Sequence, residues 1–138
     1  MTGEKNGRSV RRLEDARFLL GRGRYVEDVD AGAALHGYVL RSPHAHALIK
    51  RIDVAEAAAI PGVHLVAIAA DLAADGLGPL PCMAAVNPLV VPPRPALADG
   101  RVRHVGDPVA FVVAGSVEAA REAAERIEVD YESLPAVV

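Results

Sequence analysis

Six prolines fall between Gly76 and Asp99, at positions 79, 81, 88, 92, 93 and 95. Each removes a backbone donor and fixes φ, so the stretch cannot be a helix interior or a central strand and must be an irregular loop. Regular structure is thereby confined to the residues on either side. With 138 residues in all, the chain has room for one hydrophobic core but not for a separate catalytic domain beside it. That core has to be aliphatic, because hydrophobic residues make up 51% of the chain, aromatic residues only 4%, and Trp is absent.

Residues 1–9 read as a polar lead-in. Residues 11–20 fit a short helical turn ending at Gly21, and Gly21 and Gly23 mark a loop. Ala34–Arg41 predicts a strand stopped by Pro43, and Ala47–Asp53 predicts a second. Val54–Ile60 predicts a short helix, with Asp53 as its cap and Pro61-Gly62 as its end. Val63–Ala69 is apolar apart from His64, which predicts a strand buried on both faces. Beyond the proline loop, Asp99-Gly100 signals a turn, Arg101–Val105 a short segment, and Pro108 opens the apolar strand Val109–Ala114. Ser116 is placed to cap a helix reaching Arg126, with Val117, Ala120, Ala123, Ala124 and Ile127 on one face. On its other face Glu122–Arg126 and Arg121–Glu125 have the spacing of ion pairs. Ile127, Val129 and Tyr131 then alternate with Glu128, Asp130 and Glu132, the pattern of a half-buried strand with a solvated acidic face. The element order is mixed α/β, without an internal repeat.

Few residues offer chemistry. His44-Ala45-His46 has the spacing that puts two imidazoles on one strand face, a chelate if His36 or His104 adds a third ligand. The plainer reading is a Ser42-Pro43-His44 turn bonded to itself. Gly21-Arg22-Gly23 opens like a dinucleotide fingerprint but has Val26 in place of the third glycine, which excludes it. Arginines 8, 11, 12, 17, 22 and 24 suit a solvated or interface-packed segment, partly offset by Glu14 and Asp15; no aromatic interleaving supports a nucleic-acid arm. The net charge of −3 gives no field for nucleic acid or an anionic membrane. Cys82 is the one cysteine; it can hold neither a disulfide nor an iron–sulfur cluster by itself, and is expected to be partly buried and inert. There is no nucleophile elbow and no phosphate loop. No apolar run approaches the roughly 20 residues of a membrane span, and the polar Met1–Asn6 is not followed by an apolar leader, so a cytoplasmic location is expected.

Four segments, in order, carry a resemblance: Val10–Asp28 (VRRLEDARFLLGRGRYVED), Leu35–Ala47 (LHGYVLRSPHAHA), Val102–Ala110 (VRHVGDPVA) and Ile127–Val138 (IEVDYESLPAVV). Together they resemble the amino-terminal α/β-hammerhead domain of large subunits in the xanthine dehydrogenase, aldehyde oxidase and aerobic carbon monoxide dehydrogenase family. The resemblance covers about residues 10–138 and implies an α+β fold, a mixed sheet with two main helices. It also implies a parent oxidoreductase that uses a molybdenum–pterin cofactor, with iron–sulfur clusters and FAD on other domains or subunits. The family's pterin-gripping segments and catalytic glutamate lie in domains that would follow residue 138, so no catalytic, cofactor-binding or metal residue carries over to this chain. What the resemblance implies instead is packing against the remaining molybdenum-binding domains, in a complex with iron–sulfur and flavin partners. Arg11, Arg12, Arg17, Arg22, Arg24 and Tyr25, with Arg41, Ser42, His44 and His46, are the candidate interface residues, because both segments combine donors with apolar groups. An ending at Leu134-Pro135-Ala136-Val137-Val138, with no polar tail, is expected of a chain cut at a domain edge. Two alternatives stand beside this reading: an independent binding or regulatory protein that reuses the hammerhead fold, and a small metalloenzyme built on His44 and His46.

Overall fold

The structure is a computed structural model and describes residues 12–29, 32–83 and 90–136. The chain divides into two compact units, residues 1–33 and residues 34–138.

In the first unit, helix α1 (Asp15–Leu19) stops at Gly21, as the sequence predicts. Gly21 has φ +67°, its N–H donates to Phe18 O at 3.0 Å, and Arg22 N–H donates to Arg17 O at 2.9 Å. This paired closure satisfies carbonyls that a helix end leaves open, and it needs a left-handed residue at Gly21. Gly23 has a different task. A Cβ there would lie 3.1 Å from Phe18 Cδ1 and 3.2 Å from Tyr25 Cε2, so its absence lets those rings stack, centroids 6.0 Å apart. Both glycines thus have local jobs in the turn. A 3₁₀ turn over Val26–Asp28 follows, with the Asp28 carboxylate accepting from Tyr25 N–H at 2.9 Å.

The second unit runs β1 (His36–Arg41), β2 (Ala47–Asp53), α2 (Ala55–Ala58), β3 (Val63–Ile68), α3 (Ala69–Ala74), β4 (Arg101–Val102), β5 (Pro108–Ala114), α4 (Val117–Glu125) and β6 (Glu128–Ser133). One sheet has the order β1-β5-β3 and the other β4-β2-β6, and every pairing is antiparallel. The fold class is α+β as expected, but the mixed sheet resolves into two small antiparallel ones. Of the expected two main helices, α4 is nine residues long, whereas α2 and α3 have four and six.

Small side chains build the main core. Ala120, Ala123, Ala124 and Ile127 turn inward against Ala110, Val112 and Ala114 of β5, all at most 7% exposed. Ala47, Ala98, Val102 and Val109 form a second buried cluster, and Ile52 and Val129 pack against both. Ser116 Oγ accepts from Ala119 N–H at 3.1 Å, the predicted cap of α4. Asp53 Oδ1 likewise accepts from Ala55 N–H at 3.0 Å ahead of α2.

Four expectations need correction. β3 is an edge strand with His64 and Leu65 exposed rather than a strand buried on both faces, because β5 takes the central place. Val117 is 53% exposed, since the first turn of α4 overhangs the apolar stripe. Arg126 reaches Glu56 at 3.9 Å, tying α4 to α2 in place of the pair with Glu122, while Arg121–Glu125 forms at 3.1 Å. Cys82 is exposed rather than partly buried, on the surface of the proline-rich loop. The structure also adds α3, which the sequence pattern left unassigned. Its end closes like that of α1, with Gly76 at φ +73° and Leu77 N–H donating to Leu72 O at 2.9 Å.

Candidate functional site

The turn after β1 is held by groups distant in sequence. Pro43 offers no N–H, so the backbone on either side has to find partners elsewhere. Ser42 N–H donates to Asp107 O at 2.9 Å, Gly106 N–H donates back to Ser42 O at 2.8 Å, and Arg41 Nη1 donates to Gly106 O at 2.9 Å. Gly106 has φ +86°, the left-handed conformation this second turn requires. Asp107 completes it by accepting from Arg103 N–H through Oδ2 at 2.9 Å. Within the first turn, His44 N–H donates to Ser42 Oγ at 3.0 Å and Ser42 Oγ–H donates to His44 O at 3.2 Å. This is the locally bonded turn that the sequence suggested.

The two histidines go to different partners. The His44 ring lies 4.7 Å from that of Tyr131, tilted by 45°, and its Nδ1 is 3.3 Å from Ser133 Oγ. His46 Nδ1 is 2.7 Å from Pro135 O, and a carbonyl only accepts, so Nδ1 carries the proton and donates. His46 O also accepts from Leu134 N–H at 2.9 Å, extending the β2–β6 ladder past its last paired residue. Burial raises the Tyr131 phenol above its ordinary 10.0, and a hydrogen bond with the Ser42 side chain opposes that shift.

The metal-chelate reading fails on this geometry. His44 and His46 precede β2 and do not share a strand face, and His36 sits at the far end of β1, opposite Ala114. His104 does line one depression with His46, but Arg103 lines it too and would repel a cation. Among the described residues no three His, Cys, Asp or Glu side chains come within reach of one ion, and no buried side-chain nitrogen or oxygen lacks a partner. Glu128, Asp130 and Glu132 are exposed, and Glu132 pairs with Lys50.

Of the interface candidates, Arg12, Arg17, Arg22, Arg24, Tyr25 and Arg41 are exposed and His44 and His46 half-buried. Arg17 pairs with Glu14 at 2.5 Å. Ser42 is only 2% exposed and so cannot face a partner; it holds the turn together from within. Arg11 lies outside the described residues. Asp107, Tyr131 and Ser133 complete the turn cluster and were missed from sequence, where only the Gly106-Asp107-Pro108 turn signal hinted at one of them.

A family described as aldehyde oxidase and xanthine dehydrogenase, a/b hammerhead domain, matches residues 20–135. The chain belongs to this family. Its hammerhead domain is 45% identical, over 93% of this chain, to the carbon monoxide dehydrogenase large chain of Afipia carboxidovorans. It is 40% identical, over 96%, to the nicotine 6-hydroxylase large subunit of Paenarthrobacter nicotinovorans. Among solved structures, quinoline 2-oxidoreductase from Pseudomonas putida 86 superposes with a TM-score of 0.82 at 48% identity over 94% of this chain and 16% of that one. A Cu,Mo-CO dehydrogenase in its carbon monoxide reduced state follows at a TM-score of 0.79 and 44% identity, with 94% and 16% covered. The chain spans 15% and 16% of the length of the two curated relatives. It thus corresponds to one small domain of oxidoreductase large subunits. Among the described residues no helix is long and apolar enough to cross a membrane.

Proposed function

We propose that residues 10–138 serve as a non-catalytic packing module of a molybdenum-dependent oxidoreductase, docked on the cofactor-bearing domains of its large subunit, with residues 1–9 as a lead-in. The observation that carries this is the apolar surface of the first unit. Leu13 is 100% exposed, Val26 90% and Leu19 86%, beside the half-exposed or more exposed Leu20, Tyr25 and Val29. So many large apolar side chains on one short segment mark a surface that another chain or domain covers. Arg12, Arg17, Arg22 and Arg24 supply forked donors around it, the mix typical of an interface. Arg41, His44 and His46 form a second contact. In this reading the molybdenum–pterin group sits in the domains beyond, and iron–sulfur and FAD groups on partner domains or subunits. The setting is cytoplasmic, since the exposed thiol of Cys82 calls for no oxidising compartment.

Elemental analysis of the purified chain, with its visible absorption spectrum, tests the non-catalytic part. The expected result is no stoichiometric molybdenum, iron or zinc and no flavin or iron–sulfur bands. Stoichiometric metal on the isolated chain would overturn it.

A further inference from the structure

Each three-stranded sheet ends in two edge strands, β1 and β3 in one, β4 and β6 in the other. Edge strands offer unpaired main-chain groups, and folds usually blunt them. β4 is only two residues long. β3 breaks register between Val63 and Leu65, and its Ile68 N–H is already taken by Asp71 Oδ2 at 2.8 Å. β6 carries the exposed carboxylates of Glu128, Asp130 and Glu132. β1 has none of these devices. It runs six residues, its register shift falls at its last pair, and the Arg41 guanidinium is turned to Gly106 O.

The phase of that edge is fixed at both ends. In an antiparallel ladder the N–H and C=O of one residue point to the same side, and the side alternates along the strand. Ser42 N–H donates to Asp107 O and Ser42 O accepts from Gly106 N–H, so Ser42 points toward the chain leading into β5. At the far end Gly115 N–H donates to Gly62 O, on the β3 side, so Ala114 turns the other way, toward its partner His36. Both ends give the same phase. His36, Tyr38 and Leu40 bond inward to β5, while Gly37, Val39 and Arg41 point their N–H and C=O outward. Among the described residues no strand or turn meets those outward groups. Beside them lies a depression lined by Gly37, Tyr38, Val39, Leu40 and Arg41 and by Ala124 and Glu125 of α4, which leaves room for incoming side chains.

We propose that the outer edge of β1 receives an extended segment from the rest of the large subunit, which joins the sheet as a fourth strand and bonds its main chain to Gly37, Val39 and Arg41. Alternating main-chain donors and acceptors along an edge recognise extended polypeptide, whose own backbone repeats the same pattern. The chain spans 15% and 16% of the two curated relatives, so most of such a subunit lies outside it. A second copy is the weaker occupant. Six residues a side fall far short of the roughly 20–30 a side of a stable interface, whereas a segment of the same subunit is held near the edge by its own chain. β1 also runs directly into the Arg41–His46 turn proposed above as a contact. The inference rests on that docking role and names the strand that makes it.

The test is amide hydrogen exchange, read residue by residue, on the full chain alone and mixed with the rest of a large subunit that lacks this region. In the free chain Tyr38 and Leu40 should be protected, and Gly37, Val39 and Arg41 should exchange rapidly. In the mixture those three should slow by about tenfold or more. Val39→Pro removes one outward donor, a change an edge strand tolerates, and should weaken the complex by about tenfold with the far-UV circular dichroism unchanged. If that variant does not fold, the exchange pattern of the unaltered chain decides alone. A complex that forms without slowing the three amides overturns the edge contact and leaves the module reading standing. Absence of any complex overturns both. Protection of the three amides in the chain alone, rising with its concentration, would overturn the proposal by giving the edge to a second copy.

Discussion

Substituting Gly37→Ala should destabilise the second unit through one side chain, Phe111. On the shared sheet face, Val39 is opposite Phe111 and Gly37 opposite Val113, so Gly37 lies diagonally across from the ring. A Cβ at Gly37 would sit 2.7 Å from Phe111 Cζ and 2.9 Å from Cε2, well inside the 3.4 Å at which ordinary contact begins. Phe111 is half-buried on the central strand, so its ring has to swing away or β1 has to shift. Overpacking of this kind costs about 1–3 kcal/mol. Replacing a strand glycine returns about 0.5–1 kcal/mol of backbone entropy, which leaves a net loss centred on about 1 kcal/mol, within bounds of about 0–2.5 kcal/mol. For a chain of this size a loss of about 1 kcal/mol corresponds to a fall in Tm of about 3–6 °C. Thermal unfolding followed by circular dichroism should show that fall, and should show it vanish or reverse when Gly37→Ala is made in a Phe111→Leu background. Equal destabilisation in both backgrounds, with no coupling beyond about 0.5 kcal/mol, would refute the assignment of Gly37 to Phe111.

The raised Tyr131 pKa has a definite sign: the folded state favours the neutral phenol, so its contribution is complete below pH 10.0 and is lost as pH rises through the higher folded value. Stability should thus fall from about pH 10 upward, less steeply in Tyr131→Phe, and absorbance titration of the three tyrosines should show one late-ionising phenol. Ser42→Ala should move that phenol higher still, because it removes the opposing hydrogen bond, and should cost about 1–3 kcal/mol in urea unfolding by leaving His44 N–H without its acceptor. Ser116→Ala should cost about 1 kcal/mol through loss of the α4 cap. Ala123→Leu, at a fully buried position facing β5, should cost about 1–3 kcal/mol, and an unchanged midpoint would show that the helix–sheet gap is looser than described.

Legibility in the sequence followed the range of the interactions involved. β2 and β6 were visible because alternation and apolar content are local signals, and α4 because Ser116 and the spacing of Ala120, Ala123, Ala124 and Ile127 agree. The Ser42–His44 turn was read for the same reason. α3 was not, because Ala69-Ala70-Asp71 continues an apolar strand with residues of no strong preference. Its signals were present in Asp71, which accepts from Ile68 N–H at 2.8 Å, and in Gly76. The edge position of β3 depends on which strand occupies the middle of the sheet, a fact no local pattern holds. Ser42 was offered as surface and is buried because Gly106 and Asp107, more than sixty positions away in the chain, close over it.

The central claim, that the chain is a module docked by its exposed apolar segment, is tested most directly by mixing it with the rest of a large subunit that lacks this region. Sedimentation should show a one-to-one complex, with amide protection gained over Arg12–Val29 and the turn after β1, and the complex should be weakened by Leu19→Asp with Val26→Asp. A chain that stays free in the mixture, or binds with no change in those two segments, would contradict the account.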